Sequence, residues 1–289
     1  MSEQNFYVEF QAFEPMSDAI GAVCEQMDLP VVSGGSGKGW SMWSTLERCP
    51  RAFYNKYIAE IPRDDSSALG VGGLVHALLA FWYSDGERTP FDPVAFKTAL
   101  LERNVNPESV YEAYRLFDAY CSYYEEDYLT PLATEYTAKD PKTGNTCRYD
   151  MIAELHDPLP VGLTPGIYIV EHKTTAKSFT WEVREGWDLD GEILGEIALW
   201  ERAGLDKIFG KLQGLIVNVI GKQKQPEFHR AFVWPQEKAA QRHLAVLSHL
   251  EVLRKGYVKK GSWPMYFQGC ITRYGKCDYY QHCLSENSD

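Results

Sequence analysis

The sequence predicts an α/β (α+β) fold in which helices flank a mixed central sheet. Apolar residues recur at three- and four-residue steps from residue 41 to about residue 129, which is typical of helices. From residue 132 to residue 234 the hydrophobic period changes to two, which is typical of strands. A helical stretch at residues 189–203 interrupts the strands, so that three strands precede it and two follow it. This order gives a mixed sheet with helices packed against it.

The length and composition indicate one globular domain with additions. The chain has 289 residues, of which 45% are hydrophobic, which is enough for a large core. We expect residues 1–40 to form a partly flexible N-terminal extension and residues 41–289 to form a single domain. Within that domain we expect a helical part (41–130), a sheet core (131–235) and a C-terminal helix with a cysteine-rich loop (236–289).

Prolines mark the starts of helices in the helical part, where three or four helices are predicted. Pro50, Pro93 and Pro107 each suit the first turn of a helix, where no backbone N–H is needed. Residues 107–129 carry aromatic and apolar side chains at helical spacing, which predicts one long amphipathic helix.

Five segments with a period of two form the predicted sheet. They are residues 132–139, 146–155, 166–173, 215–220 and 227–234. The turn residues at 140–144 predict a hairpin between the first two strands. A last helix is predicted over residues 236–255, ending at Gly256.

Charge and hydropathy exclude some classes of function. The formal net charge of −11 argues against a protein that coats nucleic acid indiscriminately. A local basic track of Lys222, Lys224, His229 and Arg230 fits either a strand-contacting surface or a solvated hairpin end.

No apolar stretch approaches the ~20 residues that a membrane-spanning helix needs, so we expect no membrane association. Seven cysteines without a secretory signal predict a reducing, cytoplasmic environment in which thiols bind metal.

A strand that ends in charged residues is the most informative segment. Within residues 166–175, Glu171 and Lys173 are two positions apart, so their side chains project from one face. Asp150 projects beside them if the strand at 146–155 is the neighbour. Two carboxylates beside a lysine suit phosphodiester hydrolysis, because Mg²⁺ prefers oxygen ligands and lowers the pKa of bound water. A surface ion pair between Glu171 and Lys173 explains the local sequence equally well.

The order of these residues resembles the core motif of PD-(D/E)XK nucleases of the RecB-like branch. Asp150 is followed, after a strand-length gap, by Glu171, one further residue and Lys173. That branch also has a metal-binding histidine on a helix before the sheet, and residues 72–76 (GGLVH) match it. By itself, a histidine on an apolar helix is more often a core residue. The resemblance implies a restriction-endonuclease-like core that binds Mg²⁺ or Mn²⁺ through His76, Asp150, Glu171 and the backbone carbonyl of His172. It also implies that Lys173 supports the attacking hydroxide.

Three further positions are compared with the same motif. The RecB-like branch carries Gln, three residues and Tyr on the helix after the lysine strand, where this chain has Glu196 and Trp200. Glu196 could position Lys173, bind a second metal or be an ordinary solvated residue, and the departure leaves the role of this helix open. Glu135 corresponds to a commonly acidic position before the hairpin, although an edge-strand glutamate is an equally good interpretation.

Four cysteines predict a second metal centre. Cys270, Cys277 and Cys283 lie within fourteen residues of each other, and Cys49 is the candidate fourth ligand. This arrangement resembles the iron-sulfur cluster of AddB-type nucleases and of CRISPR-associated RecB-like exonucleases, which implies a 4Fe-4S cluster that ties together the ends of the domain. Zinc is the main competitor, but structural zinc sites usually use close pairs of ligands that are absent here. Four unrelated buried thiols are the remaining alternative.

The resemblance implies a metal-dependent DNA exonuclease of a bacterial or phage-infected cell. Its expected partners are DNA ends or single strands, together with a recombination or replication protein. One alternative is a catalytically weakened DNA-binding module of recombination with the same fold and cluster. Another is a zinc-clasped protein of unrelated function.

Overall fold

The computed structural model describes residues 14, 16–29, 37–62, 67–84, 92–156, 159–160, 162–272 and 275–285. Much of the extension expected at residues 1–40 lies outside the described residues. The part that is described includes a helix, Met16–Gln26, whose apolar side chains are buried in the main core of the domain.

Helices make up the first part of the chain and both outer layers. They are α1 (Met16–Gln26), α2 (Trp40–Arg48), α3 (Pro50–Tyr57), α4 (Ser67–Trp82), α5 (Pro93–Glu102), α6 (Pro107–Tyr123), α7 (Trp181–Glu185), α8 (Gly191–Arg202), α9 (Leu205–Ile208), α10 (Glu237–Lys260) and α11 (Tyr280–Ser285). None of the helices among the described residues combines the length and the apolar character needed to cross a membrane.

A five-stranded mixed sheet forms the centre, as predicted. Its strands are β1 (Leu129–Lys139), β2 (Thr146–Leu155), β3 (Gly166–Thr175), β4 (Leu212–Gly221) and β5 (Phe228–Val233). They lie side by side in chain order, and every neighbouring pair is antiparallel except β3 and β4, which are parallel. The parallel pair requires a crossover, and α7, α8 and α9 supply it. A small hairpin of β6 (Ile271–Thr272) and β7 (Gly275–Lys276) lies in the C-terminal loop.

Local side-chain chemistry fixes the ends of the elements that carry the site. The predicted hairpin turn forms around Asp140, which accepts hydrogen bonds from the Lys142 N–H and the Thr143 hydroxyl, while Gly144 takes a φ of 72°. Asp190 caps α8 by accepting hydrogen bonds from the backbone N–H groups of residues 192 and 193. That cap sets where α8 begins and therefore which of its residues face the sheet.

The sheet separates two apolar layers because side chains alternate along each strand. On one face, α1, α4, α5 and α6 pack against residues such as Tyr168, Val170 and Ile216. On the other face, α7, α8 and α9 pack against residues such as Ile169 and Val217. The candidate site lies at the C-terminal, polar end of β3.

Helix boundaries differ from the predicted ones in three places. The described residues between 40 and 123 contain five helices rather than three or four, and the long aromatic helix ends at Tyr123 rather than near residue 129. The last helix continues through Gly256 to Lys260 and ends at Gly261, which has a φ of 62°. Packing explains the continuation, because Tyr257 joins the apolar cluster around Trp43 and Leu250 and thereby offsets the ~1 kcal/mol cost of a helical glycine.

Candidate active site

Strands β2 and β3 end their pairing immediately before the two predicted acids. Their register runs from Leu155 opposite Gly166 to Met151 opposite Val170. Asp150 and Glu171 are the next residues on the two strands. Beyond that point Asp150 Oδ2 accepts a 2.8 Å hydrogen bond from the His172 N–H, so a carboxylate takes the place of a strand carbonyl. Both acids are buried, and they therefore face each other's charge in a region of low dielectric.

Helix α4 brings His76 to Asp150. His76 Nδ1 lies 3.3 Å from Asp150 Oδ2. Burial lowers the pKa of His76, but the Asp150 carboxylate outweighs burial and holds the pKa above its ordinary value. Burial alone would raise the pKa of Asp150, yet His76 keeps it below its usual range. Gly72 makes the close approach of α4 feasible, because a Cβ there would lie only 3.0 Å from Thr174 Oγ1 on β3.

Lys173 is held between two carboxylates. Its Nζ lies 2.6 Å from Glu171 Oε1 and 2.5 Å from Glu192 Oε2. Burial lowers the pKa of Lys173, but these two glutamates raise it well above its ordinary value, so the side chain is an ammonium at neutral pH. Burial, followed by the Asp150 carboxylate, raises the pKa of Glu171 to about 8. Glu171 and Asp150 therefore act on each other electrostatically across the gap between the strands.

Helix α8 adds a second pair of carboxylates to the same region. Glu196 is buried, and its Oε2 has no hydrogen-bonding partner. One carboxylate oxygen from each of Glu171, Glu192 and Glu196 lies within 4.8 Å of the others, and this is the group of three metal-ligating side chains found among the described residues. Burial and then Glu171 raise the pKa of Glu196 well above its ordinary value.

Glu192 is a site residue that sequence reasoning missed. It lies four residues before Glu196, so the two side chains share one face of α8. The four-residue spacing could have indicated that Glu192 lies beside Glu196, but the comparison with the Gln-x₃-Tyr pattern directed attention to Trp200 instead. Trp200 is buried, and its Nε1 donates a 3.1 Å hydrogen bond to the Gly210 carbonyl. Its ring therefore anchors α8 in the core and does not join the carboxylates.

Glu135 lies level with Asp150 on the neighbouring strand. Thr134 pairs with Met151 and Tyr136 pairs with Tyr149, and Glu135 between them has a φ of 49°. Its carboxylate lies 2.8 Å from Arg148 Nε. Burial and then Asp150 raise the pKa of Glu135 to about 7. The residue is thus part of the acidic surroundings of Asp150.

The side chain of His172 points away from the acids. Its Nδ1 lies 2.8 Å from Asn218 Nδ2, and its ring stacks on Tyr83 with 6.4 Å between the centroids. Burial lowers the pKa of His172 to about 3, so the ring is neutral. The backbone of His172 lies beside Asp150 and is hydrogen-bonded to it. The resemblance assigns metal binding to this backbone and not to the ring.

The four predicted cluster cysteines gather at the junction of α2 and α3 with the C-terminal loop. Cys49, Cys277 and Cys283 share a small apolar cluster, and the thiols of Cys49 and Cys277 contribute, after burial, to a raised pKa of Cys270. The Tyr266 N–H donates to Cys49 Sγ at 3.4 Å, and Asn55 Nδ2 donates to Cys283 Sγ at 3.7 Å. Within the described part of the chain, these sulfur atoms do not form a group in which all lie within 4.8 Å of one another.

Arg230 fits neither interpretation of the basic stretch, a strand-contacting surface or a solvated hairpin end. Its side chain is 3% exposed and pairs with Asp127, with 2.6 Å between Nη1 and Oδ1. The guanidinium also lies over the Tyr124 ring, 3.8 Å from the centroid. Arg230 is therefore a buried ion-pair residue and cannot contact a DNA strand on the surface.

Comparison with known proteins identifies the class to which this fold and these residues belong. The family model described as the PD-(D/E)XK nuclease superfamily matches residues 40–190. This match spans more than half of the chain and includes His76, Asp150, Glu171 and Lys173. The chain belongs to the PD-(D/E)XK nuclease superfamily. The match ends before Glu192 and Glu196, and it includes Cys49 but none of the C-terminal cysteines.

A solved structure shares the fold. It is a protein from Eubacterium rectale described as a candidate exonuclease, 17% identical, with a TM-score of 0.50. The similarity covers 85% of this chain and 87% of that one. At this identity the comparison supports the architecture alone. No curated protein matches the chain.

Proposed function

We propose that this chain is a metal-dependent deoxyribonuclease that acts as an exonuclease on DNA ends or single strands. The observation that carries the proposal is the arrangement at the point where β2 and β3 part. Asp150 and Glu171 follow the last paired residues, and the Lys173 ammonium lies 2.6 Å from Glu171. Membership of the nuclease superfamily supports the same conclusion.

The residues around Asp150 fit a divalent metal. The donor set consists of carboxylate oxygens and an imidazole, which suit Mg²⁺ or Mn²⁺. Burial, followed by the Asp150 carboxylate, raises the pKa of Glu171, and a cation bound beside these carboxylates would favour their ionised form. The ligands would be His76, Asp150, Glu171 and the backbone carbonyl of His172. A bound metal lowers the pKa of a water nucleophile and neutralises charge on the scissile phosphate.

Lys173 supplies positive charge rather than a base. Burial lowers its pKa, but Glu171 and Glu192 raise it well above the ordinary value, so the side chain keeps its proton at neutral pH. In this role the ammonium stabilises an attacking hydroxide or the charge that develops on the phosphate oxygens. Asp150, whose pKa is held down by His76, stays ionised and orients the backbone of His172 through the hydrogen bond to its N–H.

We further propose that the activity is exonucleolytic and that it belongs to DNA end processing. The name given to the Eubacterium rectale protein supports the exonuclease assignment. We place the activity in DNA end processing during recombination, repair or phage replication, with a recombination or replication protein as partner. The motif order from Cys49 to Cys283 and its resemblance to RecB-like nucleases support this setting.

The proposal includes a 4Fe-4S cluster held by Cys49, Cys270, Cys277 and Cys283. Two hydrogen bonds to sulfur support this part of the proposal: Tyr266 N–H donates to Cys49 Sγ and Asn55 Nδ2 donates to Cys283 Sγ, and such bonds tune iron-sulfur clusters. Gly269 lets the loop approach closely, since a Cβ there would lie 3.0 Å from the Arg48 carbonyl. A brown preparation that contains iron supports the cluster, whereas a colourless one rich in zinc supports the zinc alternative.

Digestion of DNA tests the proposed activity. The purified chain is incubated with end-labelled linear DNA and with closed circular DNA, with Mn²⁺ omitted and then restored. We expect metal-dependent loss of the linear substrate alone, which Asp150→Ala abolishes and which Glu201→Gln, an exposed substitution on α8, leaves unchanged. Binding of DNA without any digestion would instead support the catalytically weakened module.

A further inference from the structure

The face of α8 that meets the sheet carries an acidic group outside the region matched by the family model. Glu192 and Glu196 lie one helical turn apart, and both approach Glu171 at the end of β3. The Asp190 cap fixes the start of α8, and the buried Trp200 fixes its other end. The position of these two carboxylates is therefore built into the fold and does not depend on a mobile surface loop.

The charges in this group are not balanced. Three carboxylates lie within 4.8 Å of one another, while the positive charge in direct contact with them is the Lys173 ammonium. Lys173 contacts Glu171 and Glu192, but no hydrogen bond reaches Glu196 Oε2, and Glu196 is only 2% exposed. A buried carboxylate oxygen without a partner is costly, because water no longer solvates it.

The geometry points to a second divalent-cation site formed by Glu171, Glu192 and Glu196, which shares Glu171 with the site on Asp150 and His76. Three carboxylates with one ammonium leave an excess of two negative charges when all are ionised, which a divalent cation neutralises. Carboxylate oxygens are the ligands preferred by hard cations such as Mg²⁺ and Mn²⁺.

Glu171 connects the two sites. It faces Asp150 across the gap between the strands and also belongs to the acidic group on α8. A cation at the second site would therefore compete with Lys173 for Glu171 and Glu192. This inference concerns cation binding alone, so it holds or fails independently of the proposed nuclease reaction.

The number of bound Mn²⁺ ions tests the second site. Mn²⁺ binding to the full chain is measured by electron paramagnetic resonance of the free ion, with Mg²⁺ as competitor. The variants are Asp150→Asn, which removes a ligand of the first site, and Glu196→Gln, alone and with Glu192→Gln, which remove ligands of the second. Glu201→Gln on the same helix is the matched control, and circular dichroism confirms that each variant is folded.

We expect two Mn²⁺ ions per wild-type chain and one in each single-site variant. Combining Asp150→Asn with Glu196→Gln should remove both. A chain that binds one ion, lost with Asp150→Asn and kept with Glu196→Gln and Glu192→Gln, overturns the second site and leaves the proposed function standing. An ion that survives Asp150→Asn and is lost with Glu196→Gln supports the second site and contradicts the metal assignment under the proposed function. A chain that binds no Mn²⁺ overturns both.

Discussion

Lys173 and Glu171 lie on the same face of β3, with 2.6 Å between Nζ and Oε1, while His172 between them faces the opposite layer. The alternation of a strand thus directs Glu171 and Lys173 toward the candidate site and His172 toward the core. His172 contributes only its backbone to the site. Its neutral ring, held by Asn218 and Tyr83, anchors β3 from behind.

Replacing Lys173 should separate catalysis from metal binding. Lys173→Met removes the ammonium but keeps the length of the side chain. We expect the kcat for DNA digestion to fall by about 10²–10³, the usual effect of deleting a group that stabilises transition-state charge. Mn²⁺ affinity should be equal or higher, because Glu171 and Glu192 lose a competing cation. An equal fall in Mn²⁺ affinity and in kcat would show that Lys173 has a structural role only.

The metal-free protein should lose stability as the pH rises. Burial and Asp150 raise the pKa of Glu171 from 4.5 to about 8 in the folded chain. The folded state therefore binds this proton more tightly than the unfolded state does. Its contribution is complete below the unfolded pKa and is lost as the pH rises through the folded one. We expect a loss on the order of a few kcal/mol, at ~1.4 kcal/mol per unit of pKa difference.

Melting temperatures measured between acidic and mildly alkaline pH, in a metal chelator, check this expectation. Glu171→Gln should reduce the slope, and saturating Mn²⁺ should reduce it further by favouring the carboxylate. His76, Glu135 and Glu196, whose pKa values are also raised, contribute with the same sign, so some slope should persist in the variant. Burial lowers the pKa of His172 from 6.5 to about 3, so His172 contributes with the opposite sign below pH 6.5, and the slope is read above that pH. A melting temperature that rises with pH above 6.5 in the chelator would contradict the assignment of a raised pKa to Glu171.

Gly72 and Gly73 form a matched pair on α4. A Cβ at residue 72 would lie 3.0 Å from Thr174 Oγ1, whereas a Cβ at residue 73 would meet nothing within 4 Å. Gly73→Ala should therefore stabilise the protein by up to ~1 kcal/mol through helix propensity. Gly72→Ala should push α4 away from β3 and weaken Mn²⁺ binding by moving His76. Adding Thr174→Ala should restore binding, and equal behaviour of the two alanine variants would refute this packing argument.

The sheet and the positions of Asp150 and Glu171 on it could be predicted from the sequence, because both follow from local periodicity. The strand pattern predicted that Asp150 would project beside Glu171 and Lys173 if the strands at 146–155 and 166–173 were neighbours. The structure pairs these strands up to Met151 and Val170, next to the two acids. Hydrophobic alternation fixes which face a strand residue occupies, and neighbouring strands of a hairpin pair in register. The mixed sheet flanked by helices is confirmed for the same reason.

The contributions of distant helices could not be predicted, because they depend on tertiary packing. Glu192 reaches Lys173 only because α8 crosses the end of β3, and the burial of Arg230 depends on Asp127 just after α6. Both residues have the local sequence of solvent-exposed positions. The continuation of α10 past Gly256 likewise depends on the aromatic residues that pack against Tyr257.

Cys277→Ser should remove the iron-sulfur cluster and destabilise the whole domain. Cys277 packs in the same small apolar cluster as Cys49, which lies just before α3 and more than two hundred positions earlier in the chain. Two hydrogen bonds, from Tyr266 to Cys49 and from Asn55 on α3 to Cys283, join the same two parts of the chain. Loss of the cluster breaks that link, so we expect iron content to fall and the melting temperature to drop. Cys121→Ser, in α6 and away from the proposed cluster, should keep the iron. Because the link lies apart from Asp150, Mn²⁺ binding by Cys277→Ser at low temperature should persist. A Cys277→Ser protein with unchanged iron content and melting temperature would show that Cys277 is not a cluster ligand.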